Sequence, residues 1–516
     1  MGQAASAERK AGAIGSDRAA GIVLVLLFRY NLHCCGIFCY NPPRVTVEES
    51  FVADTIWWPD LAGDHVKKTQ GLKVSIRGAI ASGRIGVGAR LPPVREVAWR
   101  LGITPGTVAK AYKDLVDDGV LEAVVGRGTF VATEAAPVAP PVHAGFLERL
   151  PEGMVNLRSA EVADVGQADA FREAMRALPP AGPGDYVGYP LTGFDITLRR
   201  HIADWFAAPA HGEIAAEDVV LTQGGQHALV ILMQTLLHGP RPVVLTEELA
   251  YPGIRHAAAL VRADIAGVPM DDEGLLPDAL DRAATETGAQ LLCTSAEAHN
   301  PTTVRTSDER RARIVAVARA HGMQIVDDNC FCPAGAAAPG YRTLAPERSW
   351  LAVSLSKNLS PDIRVGAIVA PPGGSAAVRQ VAQQQFFGLA RPLVEVVTAI
   401  MESGRAAGLR DAIQAASGRR VAMAREALAG WDAAIRDDVP FVWLRMPRGW
   451  RASSFLRAAE AAGIRLKAAD EFALIDGRAP NAVRLTLTSE QDDGRFRAAL
   501  DRLAGLLAQP PLEVDV

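Results

Sequence analysis

Short apolar runs alternate with helical apolar patterns from residue 151 to residue 510, and this alternation restricts the fold more than any other feature. The runs are rich in Val, Leu and Ile and are bounded by polar or glycine-containing turns. Those that we interpret as buried strands lie at 219–221, 243–245, 290–292, 324–326 and 351–353. Strands separated by helices predict an α/β fold with a mostly parallel sheet. In such sheets ligands bind at the carboxyl ends of the strands.

A different pattern precedes this region, between residues 55 and 132. The predicted elements are helices at 65–81 and 94–101, a third helix from Pro105, and strands at 120–125 and 129–131. Thr104 is a good N-cap for the third helix, and proline is favoured at its first position. Two short helices joined at Gly102 predict a helix-turn-helix, and the two strands predict a wing beside it.

The same region carries a local excess of positive charge. Between His65 and Lys113 ten residues are Lys or Arg and Glu96 is the only acid, whereas the whole chain of 516 residues has a net charge of −4. A small basic unit attached to an acidic body suits binding to a phosphate backbone. A merely solvated basic face would give the same charge, so this feature alone leaves both interpretations open.

The motifs of this region together resemble the GntR family of winged-helix repressors. They are Leu91-Pro92-Pro93-Val94-Arg95-Glu96-Val97-Ala98, Thr107-Val108-Ala109-Lys110-Ala111-Tyr112 and Gly126-Arg127-Gly128-Thr129-Phe130-Val131. The resemblance implies DNA contacts by Arg95, Thr104, Thr107, Lys110 and Arg127. A guanidinium can fork to a guanine or a phosphate, and a lysine suits a phosphate. A double-stranded DNA operator is therefore an expected partner.

The remaining segments limit other functions. Residues 1–54 have no clear periodicity, and we expect a disordered extension or a start site placed too far upstream; residues 133–150 form a Pro/Ala-rich linker. The apolar run 19–28 is too short to span a membrane, which takes about 20 residues. The six cysteines contain no Cys-x-x-Cys pair. We therefore expect a cytoplasmic protein without a disulfide framework or a metal site.

Two of the residues that follow the predicted strands suit cofactor chemistry. Lys357 comes just after the run 351–353, where an amine can form an imine with an aldehyde cofactor. Asp328 follows the run 324–326, and an acid beside a pyridine nitrogen keeps that nitrogen protonated. Taken singly, a residue of either type after a strand more often belongs to a turn or is solvated. The order in which the two occur along the chain is what supports a cofactor site.

Other residues in the same positions suit phosphate and ring contacts. The pair Gly224-Gly225 lets backbone N–H groups approach a phosphate, and Arg364 can make a bidentate contact with one. Asn300 supplies an amide that can donate to a phenolate oxygen. Tyr251 offers an aromatic face for stacking.

In this order, from Asp185 to Leu487, these pieces resemble the fold-type-I aminotransferases. The resemblance implies pyridoxal phosphate as the cofactor, with Lys357 as the Schiff-base lysine and Asp328 as the partner of the pyridine nitrogen. It implies the remaining contacts as follows: Asn300 to the phenolic oxygen, Tyr251 stacked on the ring, Gly225, Gln226, Ser354, Ser356 and Arg364 on the phosphate, Tyr189 reaching the neighbouring subunit's phosphate, and Arg484 on the carboxylate of an amino acid.

One position departs from that pattern. Members of this family usually have Tyr three residues after the aspartate, and here the residue is Phe331. Phenylalanine has no hydroxyl to donate to the phenolic oxygen, which leaves Asn300 as the main candidate donor. The departure bears on catalytic tuning more than on cofactor binding.

A winged helix joined by a Pro-rich linker to an aminotransferase-like body resembles the MocR subfamily of GntR regulators. This resemblance implies a homodimer paired head-to-tail, whose body senses an amine, an amino acid or pyridoxal phosphate itself and repositions the DNA-binding heads. Two alternatives remain: an active aminotransferase with an appended DNA-binding head, and a DNA-binding protein whose body holds no cofactor. Turnover to a keto acid would favour the enzyme, and an amine-dependent footprint on DNA would favour the regulator.

Overall fold

A computed structural model describes residues 58–59, 68–81, 84–86, 88–117, 120–124, 128–132, 151, 153–190, 193–331, 339–474 and 479–510. The chain divides into two compact units, Met1–Ala144 and Gly145–Val516, which we call the head and the body. The predicted extension 1–54, the predicted linker 133–150 and the wing-tip Arg127 lie outside the described residues. No helix in the described part of the chain is long and apolar enough to cross a membrane.

The head is a three-helix unit with a two-stranded wing. Its elements are α1 (Lys68–Ala81), α2 (Val94–Leu101), α3 (Pro105–Asp117), β1 (Leu121–Val124) and β2 (Gly128–Val131). Helix α2 ends at Gly102, whose φ of 60° allows the turn into α3. At the start of α3, the Thr107 amide donates to Thr104 Oγ1 at 3.3 Å, which is the predicted N-cap contact. Strands β1 and β2 pair antiparallel, so the predicted wing is confirmed.

One small core holds the three helices and the wing together. Ile76 of α1, Val97 of α2 and Val108 of α3 are fully buried, and they pack with Leu121 and Val131 of the wing. The apolar residues at helical spacing thus face one another, as the periodicity predicts. The polar faces of α2 and α3 are left exposed.

The body contains the following elements in chain order: β3 (Val155–Asn156), α4 (Gln167–Ala177), α5 (Ile196–Trp205), β4 (Val219–Thr222), α6 (Gly225–Leu236), β5 (Val243–Glu247), α7 (Pro252–Leu260), β6 (Asp264–Val268), β7 (Met270–Asp271), β8 (Gly274–Leu275), α8 (Pro277–Thr287), β9 (Leu291–Thr294), α9 (Asp308–Ala320), β10 (Gln324–Asp328), α10 (Tyr341–Leu344), β11 (Ser349–Ser354), β12 (Gly366–Val369), α11 (Ser375–Phe386), α12 (Arg391–Glu402), α13 (Arg405–Ala427), β13 (Ala433–Ala434), β14 (Phe441–Arg445), α14 (Ala452–Ala461), β15 (Ile464–Arg465), β16 (Lys467–Ala468), β17 (Ala482–Thr486) and α15 (Asp493–Leu507).

The large sheet of the body has seven strands among the described residues, in the order β4-β12-β11-β10-β9-β5-β6. Strands β11, β10, β9, β5 and β6 pair in parallel, and β12 pairs antiparallel with both β11 and β4. Strands β4, β9 and β11 are buried along their whole length, which explains their continuous apolar runs. The prediction of a mostly parallel α/β sheet is confirmed, and β6 and β12 are the two strands that the predicted apolar runs did not include.

A smaller sheet completes the body, in the order β13-β14-β17-β16 with antiparallel pairing. Its core includes Phe455, Ile464, Leu485 and Phe496, all fully buried. Strand β17 carries Arg484, so this sheet brings a residue close to the C-terminal end of the chain to the edge where the large-sheet strands end.

Candidate cofactor site

The carboxyl ends of the large-sheet strands open into a cavity of about 1030 Å³. Its wall includes these sequence-predicted residues: Gly225, Gln226, Tyr251, Asn300, Asp328, Ser354, Ser356, Lys357, Arg364 and Arg484. These residues lie near the ends of five strands of the large sheet and on the smaller sheet. The fold brings them together around one cavity. Tyr189 lies outside this cavity; its side chain is 79% exposed and stacks on the Phe387 ring at 5.2 Å between centroids.

Lys357 lies on a single turn of 3-10 helix, Leu355–Lys357, directly after β11. Its ammonium donates to the Ala160 carbonyl oxygen and lies 5.5 Å from the centroid of the Phe331 ring. Burial lowers the pKa of Lys357 to about 8, and the guanidinium groups of Arg484 and Arg364 act in the same direction. A lysine with this pKa is neutral, and hence nucleophilic, in a far larger fraction at neutral pH than an ordinary lysine.

Asp328 is the last residue of β10, at the position where the sequence predicts it. Its carboxylate accepts from the Cys330 amide at 3.3 Å, and the residue lines the cavity. Burial raises the pKa of Asp328. A cation in the cavity would favour the ionised form of Asp328. A protonated ring nitrogen would be such a cation.

Two glycines and a guanidinium form a cradle at the start of α6. Gly224 has a φ of +82°, and a Cβ there would lie 2.5 Å from Arg364 Nη2. A Cβ on Gly225 would lie 2.4 Å from Cys330 Sγ. Both positions therefore require glycine for the chain to approach so closely. The first amides of a helix have no intrahelical acceptor, so the start of α6 offers donors to an anion.

Hydroxyl groups from the end of β11 border the same cradle. Ser354 Oγ and Ser356 Oγ are 2.9 Å apart, and Ser354 Oγ also accepts from the Ser356 amide at 3.1 Å. The Arg364 guanidinium donates to the Gln223 carbonyl oxygen at 3.3 Å, which holds it over the glycine turn. Gln226 donates to the Gly253 carbonyl oxygen at 2.9 Å, while its own buried amide oxygen finds no partner among the described residues.

Arg484 and Asn300 form a pair on the opposite wall. Arg484 Nη1 donates to Asn300 Oδ1 at 2.8 Å, which orients the Asn300 amide and leaves its N–H groups for another acceptor. Arg484 Nη2 donates to the Arg158 carbonyl oxygen at 2.7 Å, and the guanidinium lies against the rings of Phe441 and Phe472. Burial lowers the pKa of Arg484 to about 10. Burial likewise raises the pKa of Tyr251, which keeps its phenol protonated.

The cavity wall also contains charged residues that the sequence patterns did not identify: Arg158, Glu161, Asp164, Asp362 and Lys467. Burial raises the pKa of Glu161, and the nearby Lys357 opposes that effect. Burial lowers the pKa of Lys467 to about 8. One sequence signal was available for Lys467, since Lys357 and Lys467 are the only lysines after Lys113.

The residues present fit pyridoxal phosphate. The glycine cradle with Arg364 suits a phosphate, the Asp328 carboxylate at the end of β10 suits a ring nitrogen, and Lys357 suits an aldehyde. The unpartnered oxygen of Gln226 is a buried polar atom that a ligand or solvent can satisfy. The fit to pyridoxal phosphate depends on the hydrogen-bond donors around the cavity and on the space that Gly224 and Gly225 leave open.

The head presents a separate candidate surface on α2 and α3. Arg95, Thr104 and Lys110 are exposed, and Thr107 is half-buried. The hydroxyl groups of Thr104 and Thr107 lie 2.9 Å apart at the start of α3, so the two predicted contact residues are adjacent. Tyr112 donates to the Pro92 carbonyl oxygen at 2.9 Å and ties α3 to the segment before α2. The fifth predicted contact, Arg127, lies outside the described residues.

Comparison with known families gives matches to both units. The family described as "Aminotransferase class I and II" matches residues 152–503, and the family described as "Bacterial regulatory proteins, gntR family" matches residues 68–131. The structure of the α-aminoadipate aminotransferase LysN from Thermus thermophilus is similar to the body, with a TM-score of 0.61 and 22% identity, covering 71% of this chain and 95% of LysN. At that identity the likeness concerns the fold.

Several curated relatives are named as transcriptional or regulatory proteins. YdeF of Bacillus subtilis, named as an uncharacterized HTH-type transcriptional regulator, is 21% identical and covers 84% of this chain and 92% of its own. The HTH-type transcriptional regulator TauR of Rhodobacter capsulatus is 31% identical over 60% of this chain and 68% of its own. MocR of Rhizobium meliloti, named as a probable rhizopine catabolism regulatory protein, is 26% identical over 58% and 64%. The chain therefore belongs to the MocR subfamily of GntR-type helix-turn-helix regulators, with a body of the aminotransferase class I and II family.

Proposed function

We propose that this protein is a DNA-binding transcriptional regulator whose body binds pyridoxal phosphate at Lys357 and senses an amine or amino acid. The observation that carries the proposal is that Lys357, whose pKa is lowered, lines one cavity with Asp328 and Arg364 on the same chain as a GntR-type head. A head for DNA alone would not need this set of residues.

Pyridoxal phosphate supplies an aldehyde that reacts reversibly with primary amines. Lys357 would serve as the amine that holds the cofactor, because its lowered pKa gives a neutral amine near physiological pH. Asp328 would hold a proton on the ring nitrogen by its negative charge. The start of α6, Ser354, Ser356 and Arg364 would bind the phosphate, and Tyr251 would stack on the ring.

Arg484 would bind the carboxylate of an amino-acid effector. It lies buried beside Asn300, so an effector that reaches it also lies beside the donor for the phenolic oxygen. A guanidinium binds a carboxylate through two parallel hydrogen bonds and thus sets the orientation of the effector. An amine at that place competes with Lys357 for the aldehyde.

The response of the head requires that the effector bind two states of the body with different affinity. We propose that the active form is a homodimer paired head-to-tail and that Tyr189 reaches the partner's phosphate. The 79% exposure of Tyr189 on the body is compatible with that role. Arg95, Thr104, Thr107, Lys110 and Arg127 would contact the operator.

The proposal is tested by footprinting upstream DNA with the full chain, with and without pyridoxal phosphate and a panel of amines. We expect a defined protected site whose occupancy changes with an amine, and Lys357→Ala should abolish that change while leaving the basal footprint. A footprint that is identical under all these conditions would contradict the sensing function.

A second candidate function is that of an active aminotransferase. The intact Arg484–Asn300 pair favours it, since a substrate carboxylate and the cofactor would both be positioned. Phe331, which stands where the family usually has tyrosine, favours the regulator. Sustained production of a keto acid, at about one turnover per second or more, would establish the enzyme.

A further inference from the structure

Lys467 and Arg484 are direct partners across the antiparallel pair β16–β17. Side chains that oppose each other in this way share one face of the sheet, with Cβ atoms about 5 Å apart. Both side chains line the cavity. Two like charges in this arrangement destabilise a sheet unless an opposite charge lies between or beside them.

Glu471 pairs with two cations of this wall. Glu471 lies 2.8 Å from Arg158 and 3.8 Å from Lys467, so one carboxylate faces two of the cations at this wall. Arg484 is 4% exposed, and its buried Nε finds no partner among the described residues. Burial, together with the charges of Arg484 and Arg158, lowers the pKa of Lys467. Among the described residues, this wall of the cavity therefore places three cations, Arg158, Lys467 and Arg484, beside the carboxylate of Glu471.

The presence of a lysine at position 467, in a body that otherwise uses arginine almost throughout, is a further observation. Arginine supplies almost every cation of the body, and after Lys113 the chain has lysine only at positions 357 and 467. Both of these lysines line the same cavity. A lysine presents a compact charge with three rotatable donors, which can follow the carboxylate of a flexible ligand.

We propose that Lys467 and Arg158 form a second anion subsite next to Arg484, so that the effector is an amino acid with two acidic groups. The α-carboxylate binds Arg484, the amine faces Lys357, and the second acidic group binds Lys467 and Arg158. The inference rests on the proposed function and names the class of its effector. The second acid group adds a negative charge beside these cations, which gives the dicarboxylate its advantage over a neutral analogue.

The test uses the full chain loaded with pyridoxal phosphate and pairs of nearly isosteric ligands: L-glutamate against L-glutamine and L-aspartate against L-asparagine. Binding is followed by calorimetry and by the near-visible absorbance of the bound cofactor. We expect one of the two dicarboxylates to bind at least about tenfold more tightly than its amide, about 1.4 kcal/mol. This comparison needs no variant and does not depend on the folding of one.

Lys467→Met then assigns the preference to its residue. We expect it to reduce dicarboxylate affinity about tenfold and to leave the affinity for the amide within about twofold. Arg457→Met is the matched control, because Arg457 is exposed on the nearby helix α14 and does not line the cavity. Cofactor content and circular dichroism verify that both variants are folded.

The outcomes separate this inference from the function on which it rests. If amides and other neutral amino acids change the absorbance as strongly as the dicarboxylates, the second subsite is refuted and the sensing function stands. If no amine changes the absorbance, the sensing function fails first and the subsite fails with it. An equal loss of amide and dicarboxylate affinity in Lys467→Met would also overturn the subsite, since it would show a general structural effect.

Discussion

The lowered pKa of Lys357 leads to a prediction about the pH dependence of cofactor capture. Burial lowers that pKa to about 8 from an ordinary value of 10.5, so the neutral amine forms at lower pH than in a free lysine. At pH 7 the neutral fraction is about 10% for a pKa of 8 and about 0.03% for one of 10.5. Lys357 should therefore be about 300-fold richer in reactive amine than a simple alkyl amine at this pH.

The assay mixes cofactor-free protein with pyridoxal phosphate in a stopped-flow instrument, in buffers without primary amines. Each rate is divided by the rate of a simple alkyl amine at the same pH, because the titration of the cofactor affects both reactions. The ratio should be constant below about pH 8 and should then fall about tenfold per pH unit until about pH 10.5. Lys357→Ala should lose this reaction.

A rate ratio that stays constant through about pH 10 would refute the reasoning, since it would mean that Lys357 titrates as an ordinary lysine. A ratio that begins to fall well below pH 8 would contradict the stated pKa in the opposite direction. The first result would remove the burial argument for Lys357 as the anchor.

Four substitutions test other parts of the account. Asp328→Ala should weaken cofactor binding about 10- to 100-fold in equilibrium titration, because a hydrogen bond to a charged group is lost; unchanged affinity would remove Asp328 from the site. Gly225→Ala should also weaken it by bringing a Cβ against Cys330 Sγ, and the added change Cys330→Ala should restore part of the affinity; no rescue would place the cause elsewhere. Arg95→Ala should weaken operator binding by about 1–3 kcal/mol in a mobility-shift assay, and wild-type affinity would exclude it as a base contact. Val108→Ala should destabilise the head by about 2 kcal/mol and leave cofactor uptake intact, as measured by denaturation and absorbance; loss of uptake would contradict a cofactor site built from residues of the body alone.

Local sequence patterns were sufficient for much of the fold. The start of α3 depends on Thr104 and Pro105, whose effects on a helix are local, and the structure has the Thr104 contact. The buried strands β9 and β11 have apolar runs because helices or loops cover both faces. Residues that directly follow such strands, such as Lys357 and Asp328, then meet at one edge of the sheet.

Features that depend on distant pairing were not accessible in the same way. Strand β12 is short. It runs antiparallel to β11 and β4 because the chain reverses its direction after Lys357. Lys467 enters the cavity because β16 pairs with β17, and no local motif specifies that register. Arg158 reaches the same wall from the segment after β3, more than 300 residues earlier in the chain. Its position is set by tertiary packing alone.

The most direct test of the sensing function measures the cofactor and the DNA in one sample. Purified full-length protein is loaded with pyridoxal phosphate, titrated with an acidic amino acid, and followed by near-visible absorbance and by fluorescence anisotropy of labelled operator DNA. We expect both signals to change with the same midpoint and Lys357→Ala to abolish both changes. A change in absorbance while DNA affinity stays constant across the titration would contradict the sensing function.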